Sequence, residues 1–203
     1  MHDPTISTIR VNGGRLCLDF VNTATWADGR PDWDFLGGFA DVLNWGGRQG
    51  LIGQRELPTL RQHANGADAA KTLARIKELR SALRDLFEPA RSATRINAAL
   101  AVLNDRLARD ANLLTIEATV SGFRLVPGAR LDGWLTTPVA VAALELATSP
   151  DRARVGVCAG DGCGWLFLDQ SRNGVRRWCS MESCGNRAKA RAHYLAHRAG
   201  RQP

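Results

Sequence analysis

Four cysteines stand close together near the end of the chain, spaced Cys158-x4-Cys163-x15-Cys179-x4-Cys184, while the fifth, Cys17, is alone at the front. Zinc favours sulfur donors, and four thiolates close a tetrahedral shell that leaves no position for water, so a site of this kind is structural and not catalytic. A segment this short seldom buries enough apolar surface to fold unaided, and a metal supplies what its core lacks. Disulfides would suit a secreted chain, but Met1-His2-Asp3-Pro4 does not begin the basic-then-apolar pattern of a secretory signal. The expected compartment is the cytoplasm, where reducing conditions favour one structural Zn2+ held by Cys158, Cys163, Cys179 and Cys184; four idle or redox-active thiols are the alternative. Cys17 lies in an apolar run and reads as a small buried hydrophobe.

The chain has 203 residues, 44% of them apolar and 23% charged, which suits one ordinary domain or a core domain with a small module. No stretch reaches the roughly 20 apolar residues of a membrane helix; the longest uncharged run, Gly133 to Leu144, is too short and holds Pro138. The net charge of +7 is unevenly placed. Residues 151–203 hold ten lysines and arginines against four carboxylates, and residues 1–150 hold seventeen against sixteen. The basic character belongs to the cysteine-bearing end and points to a polyanionic partner.

Two parts follow, with a boundary at Ser149-Pro150: a mainly helical domain over 1–150 and a cysteine module over 151–203. Alternation from Thr5 to Thr23 around Asn12-Gly13-Gly14 predicts a β-hairpin. Helices are expected from Asp32 to about Gly47, from Ala67 to about Ser92 through Leu73, Ile76, Leu79, Leu83 and Leu86, and from Thr94 to about Arg109. Leu113 to Val126 predicts a second hairpin around Ser121-Gly122. Pro138 is expected in the first turn of a helix ending before Pro150. Within the module, Trp165–Leu168 and Val175–Trp178 flank the turn Ser171-Arg172-Asn173-Gly174 and predict a hairpin joining the cysteine pairs, with a helix from Gly185 to Ala199. The fold class expected is α+β, mainly α, with β-hairpins in a helical first domain and a treble-clef-like finger of hairpin and helix at the end.

The sequences Leu166-Phe167-Leu168-Asp169, Arg176-Arg177-Trp178-Cys179-Ser180-Met181 and Cys184-Gly185-Asn186-Arg187-Ala188-Lys189 resemble those of the CGNR zinc finger proteins. Leu16-Cys17-Leu18-Asp19-Phe20-Val21-Asn22-Thr23 resembles the opening of the ABATE domain that precedes this finger, so nearly the whole chain is covered. The resemblance implies a bacterial, stress-related transcription regulator with the four clustered cysteines as zinc ligands.

Projected at about 100° per residue, the last helix gathers Arg187, Arg191, Tyr194 and Arg198 on one face, beside an apolar stripe of Ala188, Ala192, Leu195 and Ala199. That stripe is expected to rest on the hairpin while the arginines face double-stranded DNA, since arginine pairs with phosphate or bidentately with guanine. Candidate DNA contacts are Arg172, Arg176, Arg177, Asn186, Arg187, Lys189, Arg191, Tyr194 and Arg198. A solvated basic face, or a protein-docking module, is the competing reading. A homodimer is open, as is a small-molecule effector; Asp19 and Asn22 are the candidate ligand site, with turn capping or buried hydrogen bonding the plainer role.

No enzyme is expected. His193-x3-His197 has the spacing of two metal-binding histidines on one helix face, but Tyr194 stands where a metalloprotease carries glutamate, and no third ligand is indicated. Gly160-Asp161-Gly162-Cys163-Gly164 lacks the lysine-serine pair of a phosphate loop, and its glycines suit a tight turn around the metal. His63 lies in a polar connector.

Overall fold

The computed structural model describes residues 5–53, 56–62, 67–110, 115–119, 122–126 and 132–199. His63 lies outside them, as do Val120 and Ser121 in the tip of the second hairpin. The chain is mainly helical with small antiparallel hairpins, as expected. The elements are α1 (Leu16–Val21), β1 (Ala24–Ala27), β2 (Arg30–Asp34), α2 (Phe39–Arg48), α3 (Leu57–Gln62), α4 (Ala67–Phe87), α5 (Ala93–Asp110), β3 (Thr115–Thr119), β4 (Gly122–Val126), α6 (Gly133–Thr148), β5 (Val155–Val157), β6 (Leu166–Leu168) and α7 (Asn186–Ala199). A 3-10 turn, Pro150–Arg154, leads into β5, and a π turn, Met181–Gly185, leads into α7.

The first hairpin is displaced from where the pattern put it. Five of the six residues of α1 are apolar and Cys17 to Val21 are all buried, which a short helix walled in on every side requires. The turn falls instead at Asp28-Gly29, both with positive φ, which matches the right-handed twist of β1 and β2. The pairing of β2 with β1 shortens the next helix, which starts at Phe39 and not at Asp32. The second hairpin forms as expected, with Thr115 opposite Val126 and Thr119 opposite Gly122. Pro138 is a further correction: α6 begins at Gly133, so the proline lies inside it. At that first turn the buried Arg106 donates to Asp132 Oδ2 and Thr136 Oγ1, so a polar cluster holds the helix start.

In α4 the apolar Ile76, Leu79, Leu83 and Leu86 face inward at helical spacing, and Arg80 and Arg84 are buried among them. Arg80, 1% exposed, forks onto both carboxylate oxygens of Asp34 at 2.7 and 2.8 Å and also donates to Thr23 O and Oγ1. The core they help to close runs without a break from Leu18, Phe20 and Trp45 to the module's Val155, Trp165, Leu166, Phe167 and Leu168.

The hairpin of the module also differs from expectation. β6 pairs with β5, which precedes the first cysteine pair, with Val155 opposite Leu168 and Val157 opposite Leu166. Val175–Trp178 forms no strand, because the backbone there is turned by side chains: Asp169 accepts from the N–H of Ser171 and of Arg176. The knuckle of Cys158 and Cys163 is thus the tip of the β5–β6 hairpin, not a separate element before it.

Candidate metal centre

Cys158 leaves the end of β5 and Cys163 closes the turn before β6; Cys179 and Cys184 come from the loop and the π turn at the foot of α7. All four are buried, and their sulfurs lie within 4.8 Å of one another. Zinc–sulfur bonds of about 2.3 Å in a tetrahedron put the sulfurs about 3.8 Å apart. Cys163 Sγ and Cys179 Sγ are 3.8 Å apart and Cys179 Sγ and Cys184 Sγ 3.7 Å, so the quartet fits one structural zinc ion.

The surroundings suit thiolates. Cys158 Sγ accepts from the backbone N–H of Cys179 at 3.2 Å and of Gly160 at 3.4 Å. The contacts with the Cys163 and Cys179 thiols, and then these backbone N–H groups, hold Cys158 far below the ordinary thiol range, while the same thiol contacts push Cys163 and Cys179 upward. Four bare thiolates repel one another at this distance, and a divalent cation is the group that lets all four lose their protons. Gly160 is demanded by proximity: a Cβ there would meet Cys184 Sγ at 2.8 Å. Arg187 Nη2 donates to Cys184 Sγ at 3.2 Å, and this hydrogen bond pushes the guanidinium's pKa further up.

The knuckle is seated on the first domain. Trp26 N–H donates to Cys163 O at 3.1 Å, and Arg84, stacked 5.2 Å from the Trp26 ring centre, donates to Gly164 O. Gly164 has φ +61°, and a Cβ would lie 2.2 Å from Trp26 O, so only glycine permits this approach. β6 is gripped along the edge that β5 leaves free: Leu168 N–H donates to Gly13 O, and Asn22 bonds both the N–H and the carbonyl of Leu166. Trp26 and Arg84 escaped the sequence reading. The available signal was that Arg80 and Arg84 continue the four-residue step of Ile76 along the apolar stripe of α4.

Asp19 and Asn22 are both buried and satisfied within the fold, Asp19 by the N–H of Gly13 at 2.7 Å and Asn22 by Leu166. Cys17 is wholly buried, and burial pushes its thiol up to about 12.

The basic residues separate into braced and open groups. Arg176 donates to the carbonyls of Trp178, Leu168 and Cys179 and lies 4.6 Å from the centre of the Phe167 ring, so its guanidinium ties down the loop between the cysteine pairs. Arg187 is turned to the metal ligand, and Asn186 Nδ2 donates to Glu182 O. Arg172 and Arg177 are exposed on the loop, with Arg177 beside the Trp178 ring. Lys189, Arg191, Tyr194 and Arg198 are exposed on α7, and Arg191 pairs with the exposed Asp161 of the knuckle. The apolar stripe does not rest on a hairpin: Ala188 is half-buried, but Ala192 is exposed and Leu195 is 54% exposed. Among the described residues α7 meets the body through its first turn and the Arg191–Asp161 pair, and its stripe lines one side of an open groove of about 540 Å3 whose other side is Ala159–Asp161.

Two family models match the chain, in the order the motifs suggested. Residues 14–150 match ABATE, described as "Putative stress-induced transcription regulator", and residues 154–197 match the CGNR zinc finger. Among curated proteins none matches the chain. Among the described residues no helix is long and apolar enough to cross a membrane.

Proposed function

This chain belongs to the ABATE family, and we propose on that premise that it is a transcription regulator that binds double-stranded DNA through its C-terminal zinc finger. The observation that carries the reading is the exposure of α7: every residue from Lys189 to Arg198 faces solvent on a helix anchored at its foot by the cysteine quartet. A helix of 14 residues is about 21 Å long and, exposed over most of that length, can enter a major groove about 12 Å wide.

In this reading zinc supplies no chemistry and acts as a rivet, and the protein has no catalytic role. Lys189, Arg191 and Arg198 meet phosphates or base edges from α7, while Arg172 and Arg177 reach the flanking backbone from the loop. Arg176 and Arg187 act one step back, fixing the loop and the ligand Cys184. The Arg191–Asp161 pair joins two exposed side chains, and such pairs are weak enough for a phosphate to displace the carboxylate.

A second reading rests on the groove beside α7, whose exposed Leu195 and Ala192 suit an apolar partner segment. Retention of zinc-loaded protein on a pool of random duplex DNA near physiological salt separates the two. Enrichment of one sequence motif, lost in an Arg191→Glu/Arg198→Glu variant, supports the DNA reading. No enrichment, or equal behaviour of the variant, favours the docking surface.

A further inference from the structure

The histidine pair of α7 takes no part in the cysteine quartet, yet its geometry is that of a chelate. His193 and His197 stand one helical turn apart, their Nε2 atoms 3.0 Å from each other and their ring centres 4.3 Å apart. In the absence of metal one Nε2 carries the proton and the other accepts it. When that proton sits on Nδ1 of the same ring instead, both rings stay neutral and both Nε2 lone pairs are free to bind one cation. Metal–imidazole bonds of about 2.05 Å spanning 3.0 Å subtend about 94° at the ion, the angle of two adjacent ligands in octahedral or square-planar coordination.

We propose that His193 and His197 form a second metal site, for one late first-row divalent ion of the Ni2+ or Cu2+ type. The site is independent of the cysteine quartet. On the helical projection the two histidines lie about 120–180° from Arg191, Ala188 and Leu195, which line the groove beside the zinc site. Both rings are exposed, so water can complete the shell without any movement of the fold. They sit in the last two turns of α7, where the unpaired carbonyls of the helix end favour a cation and offset the nearby Lys189 and Arg198. Imidazole is the ligand these metals share, and the two-nitrogen, water-completed set distinguishes this site from the all-sulfur quartet, which selects zinc. The pair is a binding site only; its chemistry implies no reaction.

The test uses the full chain without an affinity tag, loaded with one zinc, and titrates NiCl2 by calorimetry while zinc content is followed by elemental analysis. The expected result is one nickel ion per chain with the zinc retained. His193→Ala and His197→Ala should each weaken it by about tenfold or more, because loss of even a ligand's hydrogen-bond partner costs that much. Alanine at these exposed positions favours the helix, so circular dichroism should be unchanged. A Leu195→His/His197→Ala variant keeps four histidines but places the pair on different faces, and it should bind no better than His197→Ala. The proposal is overturned if the zinc-loaded chain takes up no nickel. It is equally overturned if uptake survives in His193→Ala/His197→Ala, which would assign the binding to His2, His63 or the amino terminus.

Discussion

Asn22 holds Leu166 by both ends of its amide, Nδ2 donating to the Leu166 carbonyl at 2.8 Å and Oδ1 accepting from the Leu166 N–H at 2.9 Å. A side chain from the end of α1 thereby completes the edge of a strand 144 residues away, and with Gly13 it leaves β6 no free edge. The finger is fastened to the first domain by backbone bonds as well as by apolar packing. Asn22→Ala leaves both Leu166 groups buried and unpaired, and the expected loss is about 2–5 kcal/mol. Urea unfolding followed by tryptophan fluorescence measures it, and a loss under about 0.5 kcal/mol, the size of an ordinary surface substitution, contradicts this role.

Removing the metal should act mainly on the far end of the module. Any of Cys158, Cys163, Cys179 or Cys184 changed to serine should abolish tight zinc binding and lower the helical signal, because among the described residues α7 meets the body through its first turn and the Arg191–Asp161 pair. The first domain should remain folded, since β6 is held by Asn22 and Gly13 and not by zinc. Cys17→Ala should leave the zinc content at one per chain. Zinc analysis with far-ultraviolet circular dichroism distinguishes these cases, and loss of zinc from the Cys17 variant would be the contrary result.

Asp19 should make stability depend on pH in an unusual direction. Burial raises its carboxyl to about 6, against the lowering effect of the Gly13 and Asn12 backbone N–H groups. A folded-state value above the unfolded one of about 3.9 means that the folded state binds the extra proton. This contribution is complete below about pH 4 and is lost as pH rises through about 6, with a size of about 3 kcal/mol. Asp19→Asn removes that dependence. The stability difference between variant and parent should therefore shift in the variant's favour between pH 4 and pH 7, and a constant difference across that range refutes the assignment.

In the proposed DNA complex, Asp161 competes with the duplex for Arg191. Asp161→Asn should raise affinity for duplex DNA by up to about fivefold, the range of an exposed ion pair, and Arg191→Ala should lower it. Fluorescence anisotropy with a labelled duplex reads both. An unchanged affinity in Asp161→Asn would remove Arg191 from the DNA surface.

Much of this was legible in the sequence. The cysteine spacing named the ligands because metal chemistry constrains residue type and number more tightly than packing does, and α4 and α5 were legible because their apolar period spans four or more turns. The first hairpin was misplaced because Leu16, Leu18 and Phe20 alternate in a segment that is apolar at almost every position, and period carries no information when every side is buried. Asp28-Gly29 marked the true turn. The hairpin drawn between the cysteine pairs failed because Arg176 and Asp169 satisfy the loop's backbone with side chains, a solution invisible to strand patterns. Asn22 and Trp26 could be read as polar or aromatic residues of the core, but their partners in β6 and the knuckle are set by tertiary approach alone.

The most direct test of the central claim is the salt dependence of duplex binding by the zinc-loaded chain. About four phosphate contacts, from residues such as Arg172, Arg177, Lys189 and Arg198, predict a fall in affinity of roughly a hundredfold between 50 and 200 mM salt. Absence of duplex binding at 50 mM, or binding that salt in this range leaves unchanged, would contradict the assignment of α7 and its loop to DNA.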